Sequence, residues 1–321
     1  MANLGFSLSP MSGIPFPEFF DLVRAAEDAG VSGIFVPEAN NDALMCCYGI
    51  AHVTKRVQIG TWIVNIYLRE PTLCSAAAEM VQDAADGRFI LGLGVSHRPA
   101  LEARGIDMGN ARDRLRRDTV VLRDTFAGRT EMFGMKFRQP KKPIPIYYAA
   151  LALETARLGG ELADGLMLYL CTPDRMRKSI DVAHEAARAS KRKPSDIAMT
   201  MGLPVFLHDD LQRAYAAARR GLAFYLALPF YNRLLARSGF ESAAKAAMDA
   251  AKKRDMAGMA AAVTDQMADA IALVGPESRC FERLEEYRQC GADLPIIVPN
   301  AVEEDYSTSV RRLLKSFAKL N

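Results

Sequence analysis

The stretch VQIGTWIVNIYLREPTLCSAAAEMVQDAADGRFILGLGVSH, residues 57–97, reads as strand, helix, strand. Residues 57–64 are rich in apolar and β-branched side chains and follow the charged pair Lys55-Arg56, as a buried strand entered from a turn should. Pro71 sits where a first helical turn tolerates proline, and residues 73–84 carry apolar side chains at helical spacing. A second apolar run, 89–93, follows Asp86-Gly87-Arg88, and Gly92 and Gly94 let another group approach the backbone at its C-terminal end. Two buried strands joined by a helix make a parallel unit.

The same alternation extends in both directions. Residues 4–7 form a short strand, 9–17 a loop punctuated by Pro10, Pro15 and Pro17, and 18–29 a helix closed by Gly30. Strand 33–37 ends in the polar loop Glu38-Ala39-Asn40-Asn41-Asp42, which leads into helix 43–53. After His97 the spacing breaks: residues 98–143 hold a basic helix, 112–126, and a small hairpin around 133–137. Strand 144–149, helix 153–163, strand 165–170, helix 173–190 and strand 197–207 resume the rhythm. Residues 210–272, rich in Ala, Leu and Met, read as several helices broken at Pro229 and Gly239. Helix 277–290, strand 294–299 and an amphipathic helix, 303–320, finish the chain. Eight strands with helices between them predict a closed (β/α)8 TIM barrel rather than an open sheet. A single domain over 1–321 is expected, with 98–143 and 210–272 as inserted segments.

Composition narrows the partners. Among 321 residues, 41 Lys and Arg face 38 Asp and Glu, and a net charge of +3 makes no electrostatic case for nucleic acid or a membrane surface. The start, MANLGFSLSP, lacks a signal-peptide pattern and no apolar run approaches spanning length, so a cytoplasmic protein is expected. The six cysteines show no CxxC pair and are expected as reduced thiols.

In a parallel α/β barrel the chemistry gathers on the loops after the strands, here 6–9, 38–41, 64–67, 94–98, 149–152, 170–172, 208–210 and 299–300. A dinucleotide fingerprint is excluded at 92–97, because its third glycine would fall on His97. His97 stands at a strand end, whereas His52 and His184 fall within helices. His208, Asp209 and Asp210 lack a spaced partner, so no metal site is expected. Glu38 reads either as a loop or helix-start acid or as a functional carboxylate. Arg98, Arg104, Arg112, Arg114, Arg116 and Arg117 read either as solvated helix faces, offset by Asp113 and Asp118, or as a grip on an acidic cofactor tail.

IGTWIVNIYLREP followed by DGRFILGLGVSHRP resembles the luciferase-like class of flavin- and deazaflavin-dependent oxidoreductases, with motifs in that class's order from Gly5 to about Thr172. The resemblance implies a deazaflavin (coenzyme F420) or FMN lying over the barrel mouth. The ring would rest on the third strand at Thr61, Trp62, Ile63, Val64 and Asn65, where a non-proline cis peptide at Trp62–Ile63 is expected. Phe6 and Ala39 would flank it, as would Gly94, Val95 and Ser96. Ala149, Ala150 and Leu151, with Cys171 and Thr172 beside them, match the junction that holds the cofactor phosphate, although Ala152-Leu153 stands where relatives often have Gly-Pro. The class's sugar dehydrogenases carry a histidine after the second-strand acid; Ala39 here puts that chemistry in doubt.

The resemblance implies Glu38 and His97 as catalytic candidates. His97 either donates a proton or hydrogen-bonds cofactor or substrate, and its ordinary pKa near 6.5 suits both roles. The leading expectation is hydride transfer between the ring and a small organic substrate. Alternatives are an FMN monooxygenase using O2 with a separate flavin reductase as partner, a metal-dependent barrel hydrolase on His97, His208, Asp209 and Glu38, and a cofactor binder without turnover. A homodimer is expected from the small residues Ala76, Ala77 and Ala78.

Overall fold

Short β-branched and apolar runs build the wall of the molecule. A computed structural model describes residues 3–10 and 13–320, so positions 11 and 12 of the proline-punctuated loop lie outside the described residues. The strands are β1 (Gly5–Ser7), β2 (Gly33–Val36), β3 (Gln58–Thr61), β4 (Val64–Asn65) and β5 (Phe89–Gly94). They continue as β6 (Glu131–Met132), β7 (Met135–Lys136), β8 (Ile146–Ala149), β9 (Gly165–Tyr169), β10 (Ala198–Leu207), β11 (Leu273–Gly275) and β12 (Leu294–Pro299). Parallel pairing runs β12, β1, β2, β3, β5, β8, β9, β10 and returns from β10 to β12, which closes an eight-stranded barrel.

Two short strands complete the sheet without widening the barrel. β4 continues β3 past a bulge and pairs with β5 at Val64 and Asn65, so the expected single strand 57–64 is interrupted at Trp62 and Ile63. β11 pairs with the last three residues of β10; three residues carry too little periodicity to stand out of the surrounding helical pattern. β6 and β7 are the expected hairpin.

Helix positions follow local chemistry. Ala43–Val53 starts at Asp42, whose side chain accepts from the Met45 amide. Phe16–Asp28 begins two residues before the expected start because Pro17 is tolerated in the first turn. The inserted segment is a run of helices, Leu211–Leu226, Pro229–Leu235, Glu241–Lys252, Met256–Ala262 and Asp265–Ile271, with the expected breaks at Pro229 and Gly239. It has its own apolar cluster, including Tyr215, Leu222, Met259 and Met267, which shares Phe206 and Leu170 with the barrel top.

Phe35, Ile90, Met167, Leu294 and Ile296 pack together, with Trp62, Ile63 and Tyr147 against them. At about 1.5–3 kcal/mol for each large apolar side chain buried, this plug favours a filled barrel, and chemistry is left to the mouth. All six cysteines are free and buried. No described helix is long and apolar enough to cross a membrane. The small-residue face needs correction: Ala78 is fully buried and Ala76 and Ala77 half-buried, because that stripe turns toward the barrel, while Leu73 and Met80 are exposed.

Candidate active site at the barrel mouth

The third strand supplies the floor. Thr61 Oγ1 donates to the Gly92 carbonyl and accepts from the Gly92 amide, both at 2.9 Å, which locks β3 to β5. The next peptide, Trp62–Ile63, is cis, as expected. The Trp62 indole meets Tyr169 edge to face at 5.6 Å. It lies over Gly202, where a Cβ would fall 1.8 Å from the indole, and Ile63 lies over Gly94, where a Cβ would fall 2.4 Å from its Cδ1. The group that approaches the Gly94 backbone is thus the side chain of Ile63.

His97 follows Ser96, which holds a left-handed φ of 61°, and its backbone caps the helix Arg98–Glu102. Its ring packs against Phe230 at 6.0 Å and Tyr231 at 5.5 Å. Its Nδ1 is buried with no hydrogen-bond partner. Burial pushes its pKa below the ordinary 6.5, so the neutral imidazole is the resting form near pH 7. This differs from an open-loop histidine of ordinary pKa, and the cause is the inserted segment. Tyr169, Tyr225 and Tyr231 form a mutual ring cluster with centroids 5.1–6.0 Å apart, and the Tyr169 and Tyr225 hydroxyls meet at 3.3 Å. Phe224-Tyr225 and Phe230-Tyr231 bracket Pro229, an aromatic concentration in an Ala-rich segment that could have marked this wall.

Glu38 is neither a solvated loop charge nor an open carboxylate, its side chain being only 7% exposed. Oε2 accepts from the Asn65 amide at 2.9 Å, and Oε1 accepts from Arg69 at 2.6 Å and from the Ala43 amide at 3.3 Å. Arg69 also pairs with Asp42 at 2.8 Å. Burial would raise the Asp42 pKa, but Arg69 and the Met45 amide hold it below the usual carboxylate value.

The junction expected to hold a phosphate gains a residue that sequence reasoning missed. Arg175 donates from Nη2 to the Leu151 carbonyl at 2.8 Å, and its Nε is buried with no partner. Its amide is capped by Thr172 Oγ1 at 3.2 Å, while the helix Leu153–Leu162 begins at Ala152 with no side-chain cap. Open amides at a helix start together with a guanidinium suit an anion. Leu170, just before this junction, holds a left-handed φ of 51°; such positions in bulky residues cluster at functional sites.

Other candidates lie elsewhere. Phe6 is fully buried and faces Phe317 of the terminal helix at 6.5 Å, because alternate residues of a barrel strand point outward. Val64 and Cys171 are likewise buried in the main core, Cys171 with its Sγ 3.6 Å from Met201 Sδ. The Ala150 amide is committed to the Met167 carbonyl at 3.1 Å. Arg114 pairs with buried Asp118 and Arg116 with Glu161, each at 2.5 Å, so both already have carboxylate partners. His208 contacts Glu303 at 3.4 Å, and no metal-binding cluster occurs among the described residues. A groove of about 490 Å³, lined by Ile14, Phe16, Phe20, Asn41 and Met45, adjoins the loop after β2 but not the Trp62–His97 cluster.

Known proteins share this fold. The 5,10-methylenetetrahydromethanopterin reductase of Methanolobus tindarius is 24% identical over 298 residues, 89% of this chain and 91% of that protein. The solved coenzyme F420 dependent tetrahydromethanopterin reductase of Methanopyrus kandleri superposes with a TM-score of 0.81 at 19% identity, covering 98% of this chain and 97% of that one. The oxygenating component of 3,6-diketocamphane monooxygenase from Pseudomonas putida, in complex with FMN, gives 0.69 at 16% identity, with 99% and 98% covered. These structures share the barrel fold, and the similarity extends well past Thr172. The model of the luciferase-like monooxygenase family matches residues 3–294, most of the chain, and the protein belongs to that family.

Proposed function

We propose that this chain is an oxidoreductase that moves hydride between a deazaflavin or FMN ring and a small organic substrate, with the deazaflavin favoured. The observation that carries the reading is the chain of contacts from Trp62 through Tyr169 and Tyr231 to His97, whose Nδ1 has no partner. The likeness to the coenzyme F420 dependent tetrahydromethanopterin reductase supports the deazaflavin. Thr61, Trp62, Ile63 and Asn65 would hold the ring, Gly94, Val95, Ser96 and Ala39 would border it, and Ala149, Leu151 and Thr172 with Arg175 would take its phosphate. A ring of this type supplies the hydride.

The chain's own residues do the rest. Neutral His97 accepts a proton at Nδ1 in the oxidative direction and returns it in the reductive one. Phe230, Tyr231 and Tyr225 exclude water above it, so the inserted helices act as part of one domain with the barrel. The protein would work in the cytoplasm as a homodimer, its exposed Leu73 and Met80 offering the contact.

The test is titration of the purified chain with coenzyme F420 and with FMN, followed by absorbance, then turnover of the reduced ring with a ketone and of the oxidised ring with a reduced pterin. Tighter binding of coenzyme F420 with turnover is expected. Binding of neither ring overturns the reading. Oxygen-dependent turnover with reduced FMN from a separate reductase would establish the monooxygenase alternative instead.

A further inference from the structure

Glu38 accepts hydrogen bonds from three donors, the Asn65 amide, the Ala43 amide and the Arg69 guanidinium. Each bond uses a carboxylate oxygen as acceptor, so the group is occupied in a way unsuited to passing a proton. The partners also differ in place. Ala43 opens the helix after β2, while Asn65 lies in β4 immediately beyond the Trp62–Ile63 bulge, and Arg69 lies four residues further along the same loop. One side chain therefore ties the end of β2 to the segment that leaves the bulge.

The tie is reinforced on both sides. Arg69 is held a second time by Asp42, and the Asn65 side chain accepts from the Tyr67 amide at 3.0 Å, so the stretch after the bulge is bonded to itself as well as to Glu38. On the other strand the Asn65 residue pairs in register with Gly94, whose neighbour Ile63 is the side chain filling the space over that glycine. Moving Asn65 would shift Ile63 against Gly94.

We propose that Glu38 is a positioning residue, a clamp that sets the height of the Trp62–Asn65 segment under the cofactor ring, and not a proton donor. The assignment rests on the functional reading above for the identity of what lies on that segment. The clamp itself is a property of the chain alone. Its chemistry explains why an acid stands after the second strand although Ala39 follows it: the carboxylate is needed for Arg69 and for two backbone amides, and no neighbouring histidine is required.

The experiment compares wild type, Glu38→Ala and Glu38→Gln as full chains. Hydrogen exchange is followed by mass spectrometry in the unliganded protein, then affinity for coenzyme F420 and for FMN, and the pH profile of turnover. Loss of a charge-assisted acceptor in Glu38→Ala should speed exchange about tenfold or more in the peptide 62–69 and weaken ring affinity about tenfold. Peptide 55–60 should be unchanged, the pH profile should keep its shape, and Glu38→Gln, which retains one acceptor oxygen, should recover much of the affinity. Unchanged exchange at 62–69 in Glu38→Ala overturns the clamp. So does faster exchange spread over the whole barrel with a matching fall in melting temperature, which would mark a purely structural role. A lost limb in the pH profile would make Glu38 the proton carrier and overturn the proposal. If wild type binds neither ring, the functional reading fails, and the exchange result still decides the clamp.

Discussion

Two buried glutamates hold the two ends of the third strand, and they do so differently. At the bottom, Glu27 accepts from the amides of Lys55, Arg56 and Val57 at 2.7–3.2 Å, and Arg88 binds the Val57 and Thr54 carbonyls from the next strand. At the top, Glu38 divides its oxygens between two amides and Arg69. The bottom uses backbone partners throughout and leaves its anchoring carboxylate fully engaged. The top leaves capacity over, in the buried Nδ1 of His97 and the Nε groups of Arg69 and Arg175. Both ends are held with the same chemistry; the unpartnered atoms at the top are those the proposed ligand would engage, although others occur on outer helices at Arg283 and Arg288.

Substitutions at the two ends should separate stability from function. The largest effect on turnover is expected for His97→Gln, which keeps size and a hydrogen bond but cannot titrate. Turnover should fall about 10²-fold with bound cofactor intact. Because burial lowers the His97 pKa, the neutral form persists below 6.5, and oxidative turnover in wild type should fall only as pH drops beneath that value. Steady-state rates across pH check this, and a retained acid limb in His97→Gln would remove His97 from proton transfer.

Glu27→Ala should cost about 3 kcal/mol of stability in urea unfolding, because buried amides lose a charged acceptor, while cofactor affinity in the folded protein stays unchanged. Burial raises the Glu27 pKa, yet the Arg56, Lys55 and Val57 amides outweigh it and hold it below the ordinary 4.5. A lowered folded-state value means the stabilisation is complete above 4.5 and is lost as pH falls through the folded value. Glu27→Gln should flatten that acid loss, and an equally steep curve in the variant would count against this account.

The smallest effect is expected for Trp62→Ala. It removes the half-buried floor of the mouth and should weaken ring binding about tenfold, with circular dichroism unchanged. A loss of fold instead would place Trp62 with the bottom of the strand, as a structural residue, and would blur the contrast between the two ends.

The barrel was legible because its strands are short, apolar and separated by helices of ordinary length, and Ala43–Val53 is found at the expected bounds. The bulge at Trp62–Ile63 was legible through resemblance. The top of the site was legible less fully, for physical reasons. Glu38 is tied to Arg69, 31 positions away, and to an amide, and a backbone donor leaves no mark in a sequence. Tyr225, Phe230 and Tyr231 sit in helices whose spacing tells that they are helical but not what they face. Phe6 was misplaced because a three-residue strand is too short for alternation to separate its inner side from its outer.

The short strand β11 carries one more consequence. The chain leaves the barrel at the end of β10 and comes back through β11, which lies alongside residues 205–207 of that same strand, and the His208 amide donates to the Gly275 carbonyl at 3.1 Å. The excursion leaves after Leu207 and returns at Leu273, opposite Val205, so its ends lie on neighbouring strands roughly 8 Å apart. In the terms of polymer closure, the gap to be spanned is set by the sheet and is indifferent to what fills it, and lengthening such a loop adds only slowly to its entropic cost. Closure therefore sets no limit on the number of helices in the excursion; what ties these particular ones to the barrel is their packing on Leu170, Phe206 and His97.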